Sequence, residues 1–158
     1  MMVSFDAGST RFHVRAGALF VDDGHVLLCQ SDAMPTFWFP PGGRVDLMEA
    51  SPETLRREMV EELGADVEVG RLLWVTENFF TLRERQFHEI GLYYRATFRD
   101  PAYLDKRRSW TGVVDGPYKI TVRWFKLSEL DQIEVRPPFV VEELRNLSDE
   151  TRHIVHRA

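Results

Sequence analysis

The chain of 158 residues has a single cysteine, Cys29, no apolar run of membrane-spanning length, and no surplus of basic residues. Each scarcity excludes something. One thiol cannot form an internal disulfide, so a reducing, cytoplasmic compartment is expected. Cys29 lies in the apolar run Val26-Leu27-Leu28-Cys29 and reads as a small buried hydrophobe. Residues Met1–Arg11 contain no apolar core flanked by cations, so no signal peptide is expected, and no membrane partner. A net charge of −5 weighs against a stable nucleic-acid or anionic-membrane partner. What remains is ordinary for a globular protein: 44% hydrophobic and 28% charged residues. The length fits a single domain spanning 1–158 with a sizeable core. Nothing in the sequence excludes a homodimer.

Periodicity and turn chemistry place the elements. Arg11 to Val21 reads as a strand, Asp22-Asp23-Gly24 as a hairpin turn, and Val26 to Cys29 as the returning strand. Phe37-Trp38-Phe39 is a short aromatic strand stopped by Pro40-Pro41-Gly42-Gly43. Ser51-Pro52 opens a helix, with Ser51 as N-cap, and Gly64 closes it. Leu55, Met59, Val60 and Leu63 are expected on its core-facing stripe. Val67 to Phe80 and Gln86 to Phe98 read as an antiparallel pair. Asp100 to Tyr118 reads as a long loop, Ile120 to Leu127 as a strand, and Phe139 to Leu147 as a last helix. The polar tail from Ser148 is expected to fray.

The chemistry concentrates on the first helix. Glu58, Glu61 and Glu62 crowd one segment, although like charges at these spacings destabilise a helix. Glu58 and Glu62 lie one turn apart, and Glu61 about 60° round from Glu58. Hard oxygen donors in this number suit Mg²⁺ or Mn²⁺. Arg57 beside them can grip Glu49 in bidentate geometry. Gly42 and Gly43 allow a backbone carbonyl to approach a metal.

The spacing Gly43-x5-Glu49-x7-Arg57-Glu58-x2-Glu61-Glu62-x-Gly64 resembles the Nudix box. Two positions depart from it: Ala65 stands where the family has a larger aliphatic, and Met48 where many members have glycine. The resemblance implies an α/β/α sandwich around a mixed, partly closed β-sheet. It implies Mg²⁺- or Mn²⁺-dependent hydrolysis of a pyrophosphate bond in a small nucleotide: a nucleoside triphosphate, ADP-ribose, a nucleotide sugar or a dinucleoside polyphosphate. Alternatives are a non-catalytic nucleotide sensor on the same fold and an RNA 5′-end hydrolase. By the same likeness Glu58, Glu61 and Glu62 hold the metal, often with the carbonyl of Gly42 or Gly43, while Glu49 and Arg57 fix the loop against the helix.

The general base stays open among Glu61, Glu89, Glu84 and Asp115. Glu89 is a charge in a β-like run. A strand edge facing the metal accounts for it as well as a polar strand face does. Phosphate could meet Arg15, Arg44, Arg83 or Arg85, of which Arg44 is nearest the box. A base could stack on Trp38, Phe79, Phe80, Trp110 or Tyr118. Cations beside an aromatic in Lys106-Arg107-Arg108-Ser109-Trp110 favour Trp110. His88 and the other histidines are given no role.

Overall fold

A computed structural model describes residues 1–113 and 117–158. Asp115, one of the four candidate bases, lies outside the described residues. The elements in chain order are β1 (Ser4–Ala7), β2 (Thr10–Leu19), β3 (Val21–Asp22), β4 (His25–Ser31), β5 (Met34–Phe39), β6 (Gly42–Arg44), α1 (Ser51–Leu63), β7 (Val67–Leu82), β8 (Arg85–Phe98), β9 (Ser109–Val113), β10 (Lys119–Lys126), α2 (Phe139–Arg145) and β11 (Arg152–Arg157). Short 3₁₀ turns cover Pro101–Leu104 and Leu127–Gln132.

The strands form two sheets. One has six strands in the order β1-β2-β8-β7-β11, with β6 added beside β2. It is mixed: β2 runs parallel to β8 and β11 parallel to β7, while the other pairs are antiparallel. The second has five, in the order β3-β4-β10-β9 with β5 beside β4. This is the expected α+β architecture with few helices. Neither sheet is closed among the described residues, so the partly closed sheet is replaced by two open ones.

Period-two alternation explains how one chain fills two cores. In β2, Ala16 and Ala18 enter a core roofed by Leu55 and Met59 of α1, while Leu19 enters a second core with Trp74, Tyr93 and, from α2, Phe139 and Val140. In β4, Leu27 and Cys29 go to the first, Val26 and Leu28 to the second. Strands buried on both faces read as unbroken apolar runs.

Local chemistry sets the boundaries. Asp23 and Gly24 both adopt positive φ (47° and 70°), closing the β3–β4 hairpin as Asp-Gly predicts. Gly64 stops α1 in the left-handed conformation at φ 66°. The N-cap is Ala50 rather than Ser51. The Ala50 N–H donates to the Glu53 carboxylate at 2.9 Å, and the Ser51 hydroxyl pairs with that of Tyr94 at 2.7 Å. Val60 is turned to solvent at 56% exposure, and Thr54 takes a buried place instead.

Two expectations of irregular chain fail. The segment 100–118 contains a 3₁₀ turn and β9, because Trp110 and Gly112 pair with β10 and fill space under α1. The tail does not fray: β11 pairs with β7 along its length, and its ladder is joined by His153–Glu77 and His156–Asn78 contacts of 2.7 and 3.0 Å.

Candidate active site

The loop before α1 is bound to the helix by one arginine. Arg57 donates through Nε and Nη2 to the two oxygens of Glu49 at 2.8 and 2.9 Å, the bidentate geometry expected from the sequence. Thr54 Oγ1 adds a hydrogen bond to Glu49 at 2.5 Å. The guanidinium holds the Glu49 carboxyl down at about 2. Arg57 also donates through Nη1 to Glu58 at 3.0 Å and Glu61 at 3.4 Å, and through Nη2 to the carbonyl of Arg44 at 3.4 Å.

Glu58 and Glu62, one helical turn apart, share a hydrogen bond in a largely buried position. Burial pushes the Glu62 carboxyl up to about 9, and the charge of Glu58 adds to the rise. Burial likewise raises Glu58. The space beside them exists because residue 43 is glycine: a Cβ there would stand 2.3 Å from the Glu58 carboxyl carbon and oxygen. Gly42, at φ 152°, packs against the carbonyl of Ala16 where a Cβ would come within 2.0 Å of it. Glu61 is drawn aside by Arg57 and is largely exposed. The structure therefore brings together two of the three expected metal ligands. Among the described residues no three His, Cys, Asp or Glu side chains converge on one point. Two buried carboxylates competing for one proton, with a third a turn away, nonetheless form a donor set that suits a divalent cation.

Arg15 adds a second positive charge to the one that Arg57 brings to the site. Its Nη2 donates to the carbonyl of Pro40 at 3.0 Å, and its guanidinium lies 5.6 Å from the centre of the Phe39 ring. Its charge acts on Glu62 on one side and on Glu89 on the other.

Glu89 does not lie on an edge. It sits on β8 between β2 and β7, 5% exposed, and its Oε2 is 2.7 Å from His13 Nε2. Asn78 bonds it from β7, and His156 Nδ1 meets Asn78 Oδ1 from β11. The row His13–Glu89–Asn78–His156 crosses four neighbouring strands in register. Burial presses the Glu89 carboxyl upward, but the His13 hydrogen bond and the charge of Arg15 outweigh it and hold it below its ordinary value. Two residues along the same face, Gly91 leaves room for Thr76 and the Tyr93 ring. The Tyr93 hydroxyl and His13 Nδ1 are buried with no hydrogen-bond partner among the described residues. Sequence reasoning found Glu89 and Arg15 but gave no role to His13, Asn78 or His156. An acid inside a β-pattern signals a buried partner, yet its identity depends on pairing across some seventy residues.

The other expected site residues lie elsewhere. Arg44 is beside Arg15 across β6 and β2, with its side chain near Met2. Trp110 is half-buried, stacked on Tyr103 at 5.4 Å and packed on the α1 core, whereas Phe80 is half-buried, stacked on Phe87 at 4.9 Å and lines a surface cavity away from the α1 carboxylates. Glu84 is exposed in the β7–β8 turn at φ 66°.

No helix among the described residues is long and apolar enough to cross a membrane. The family model of the NUDIX domain matches residues 11–147, leaving β1 and β11 outside. Diphosphoinositol polyphosphate phosphohydrolase 2 from Rattus norvegicus is 30% identical over 99 residues, which are 59% of this chain and 52% of that protein. The chain thus spans about half the length of that relative. A NUDIX hydrolase from Nitrosomonas europaea shares the fold with a TM-score of 0.64 and 21% identity, over 92% of this chain and 79% of that one. A MutT NUDIX hydrolase from Burkholderia pseudomallei gives 0.58 and 26%, over 84% and 96%. The arginine-clamped loop, the glutamate helix and most of the two-sheet frame lie within residues 11–147, and the protein belongs to the NUDIX hydrolase family.

Proposed function

We propose that this chain hydrolyses a phosphoanhydride bond in a small nucleotide with Mg²⁺ or Mn²⁺ held by Glu58, Glu62 and Glu61. The observation carrying this reading is the Glu58–Glu62 pair, buried against Gly43 and faced by the Arg15 charge. A divalent ion bound there would neutralise phosphate oxygens and acidify a water. The remaining work falls to the chain. Arg15 meets a non-bridging phosphate oxygen, anchored by the Pro40 carbonyl on one side and balanced by Glu89 on the other. Arg57 and Glu49 keep the helix and its loop at fixed separation, so the carboxylates stay aligned with the phosphorus. Glu61, exposed at the rim, takes the proton of the attacking water on its carboxylate. Glu89 acts by positioning Arg15, since its carboxylate is already engaged by His13 and Asn78.

The test is product identification after incubating the protein with Mg²⁺ or Mn²⁺ and a panel of nucleoside triphosphates, ADP-ribose, nucleotide sugars and dinucleoside polyphosphates. A diphosphoinositol polyphosphate belongs in the same panel because of the rat relative. Glu58→Gln should abolish turnover in a folded protein. Wild-type turnover in that variant would overturn the metal assignment, and inertness of the wild type towards the whole panel would overturn the substrate class.

A further inference from the structure

A second cationic site lies beside β10 where its pairing with β9 ends at Arg123. Along β10, Ile120, Val122 and Trp124 enter the core under α1, so Thr121 and Arg123 point the other way. Towards Phe125 that other face is covered by the second core. At Arg123 the cover stops and a cavity of ≈ 330 Å³ opens. Lys106, Arg107, Arg108 and Arg123 line it together with Trp38 and Trp124, and no carboxylate does. In a chain of net charge −5 this is a local reversal of sign.

The cations are held in place. Lys106 Nζ donates to Asp22 at 2.6 Å and to the Leu104 carbonyl at 2.7 Å, and lies 4.5 Å from the centre of the Trp124 ring. Arg107 is tied to Asp105 at 3.3 Å. Arg108 and Arg123 have no carboxylate within 4.0 Å among the described residues. Instead Arg108 lies over Trp110 at 5.4 Å, and Arg123 over Phe125 at 4.5 Å and Trp38 at 5.8 Å. A guanidinium laid on a ring keeps its N–H edge directed outward, the geometry that grips a phosphate through two hydrogen bonds.

We propose that this cavity binds a small phosphate-rich anion, separately from the acidic site on α1. Several cations lining one open cavity suit clustered phosphates better than a lone carboxylate, and its size suits a small molecule better than a nucleic-acid strand. It shares no residue with the Glu58–Glu62 pair, so it stands whether or not the hydrolytic reading does.

Calorimetric titration with inorganic tripolyphosphate in EDTA tests it. The wild type should bind with an affinity that falls as salt rises. Arg108→Ala/Arg123→Ala should weaken binding at least tenfold, while Arg99→Ala, at an exposed arginine paired with Asp66 away from both sites, stays within twofold of wild type. If loss of Arg123 packing unfolds the protein, Arg107→Glu/Arg108→Glu, both before β9, carries the same expectation. Absence of binding by the wild type, unchanged binding by the cavity variants, or an equal loss in Arg99→Ala would overturn the proposal. So would an RNA oligomer that binds more tightly than tripolyphosphate with an affinity that grows with its length.

Discussion

Gly43→Ala separates the cost to folding from the cost to chemistry. The added methyl would stand 2.3 Å from Cδ and Oε1 of Glu58 and 2.8 Å from its Cγ. To reach ordinary contact the carboxylate must retreat by about 1 Å. It is the far end of a flexible side chain, so the fold can yield at a cost of about 1 kcal/mol, the lower end for overpacking. The retreat breaks the register between Glu58, Glu62 and Arg57. A misplacement of about 1 Å costs on the order of 100-fold in rate, or about 2.7 kcal/mol of barrier. Gly42→Ala is the contrast. Its methyl would meet the backbone carbonyl of Ala16 at 2.0 Å, at a φ of 152°, and backbone cannot step aside. That variant should lose about 3 kcal/mol or more of stability. The assay is steady-state hydrolysis with Mg²⁺ beside a thermal melt and a Mn²⁺ titration followed by electron paramagnetic resonance. Gly43→Ala should melt near the wild type, bind Mn²⁺ weakly and turn over about 100-fold more slowly. Activity within threefold of wild type would refute the argument. So would a loss fully accounted for by unfolding.

Met48 holds a left-handed backbone at φ 66° with its side chain wholly exposed, so Met48→Gly should relieve strain and raise stability by about 1 kcal/mol, read as a rise of about 2–4 °C in melting temperature. Glu49 has its folded carboxyl lowered from 4.5 to about 2 by Arg57, so it contributes stability that is complete above 4.5 and lost as pH falls towards 2. Urea unfolding across that window should show the loss, and Glu49→Gln should flatten it. Glu89→Gln should lower kcat/KM about tenfold, about 1.4 kcal/mol, chiefly through KM, while the pH–rate profile keeps its acidic limb. Disappearance of that limb would make Glu89 the base instead.

Much of α1 was legible because its signals are local: Pro52 at the start, Gly64 at the stop, and carboxylates spaced by the helical repeat. The Arg57–Glu49 clamp followed from the same segment, since both partners lie within nine residues of chain. The Asp23-Gly24 hairpin was equally local. Val60 shows the limit of periodicity, for an apolar residue on the border of the stripe fell to solvent once β2, β7 and β9 fixed the angle of the helix. β11 was invisible because its order comes from a parallel ladder to β7, not from apolar content of its own. Glu89 was visible as an anomaly, but its burial depends on His13, Asn78 and His156, which only the strand order β2-β8-β7-β11 brings alongside. The strand at Trp110 was missed for a related reason: Ser109–Val113 gains strand geometry only through β10, where the Trp110 ring packs on Tyr103.

The double-sided burial of β2 makes its length as binding as its composition. Deleting one residue between Thr10 and Arg15 would leave a choice between two losses. Either the upstream half slips, withdrawing His13 from Glu89, or the downstream half does, taking the Arg15 charge from between Glu62 and Glu89 and sending Ala16 towards Tyr93. No compensating rotation exists, because both sides of the ribbon are already spoken for. Insertions and deletions should therefore accumulate at the Asp23-Gly24 and Arg83-Glu84 bends, while the stretch from Thr10 to Leu19 keeps its count even where its residues change.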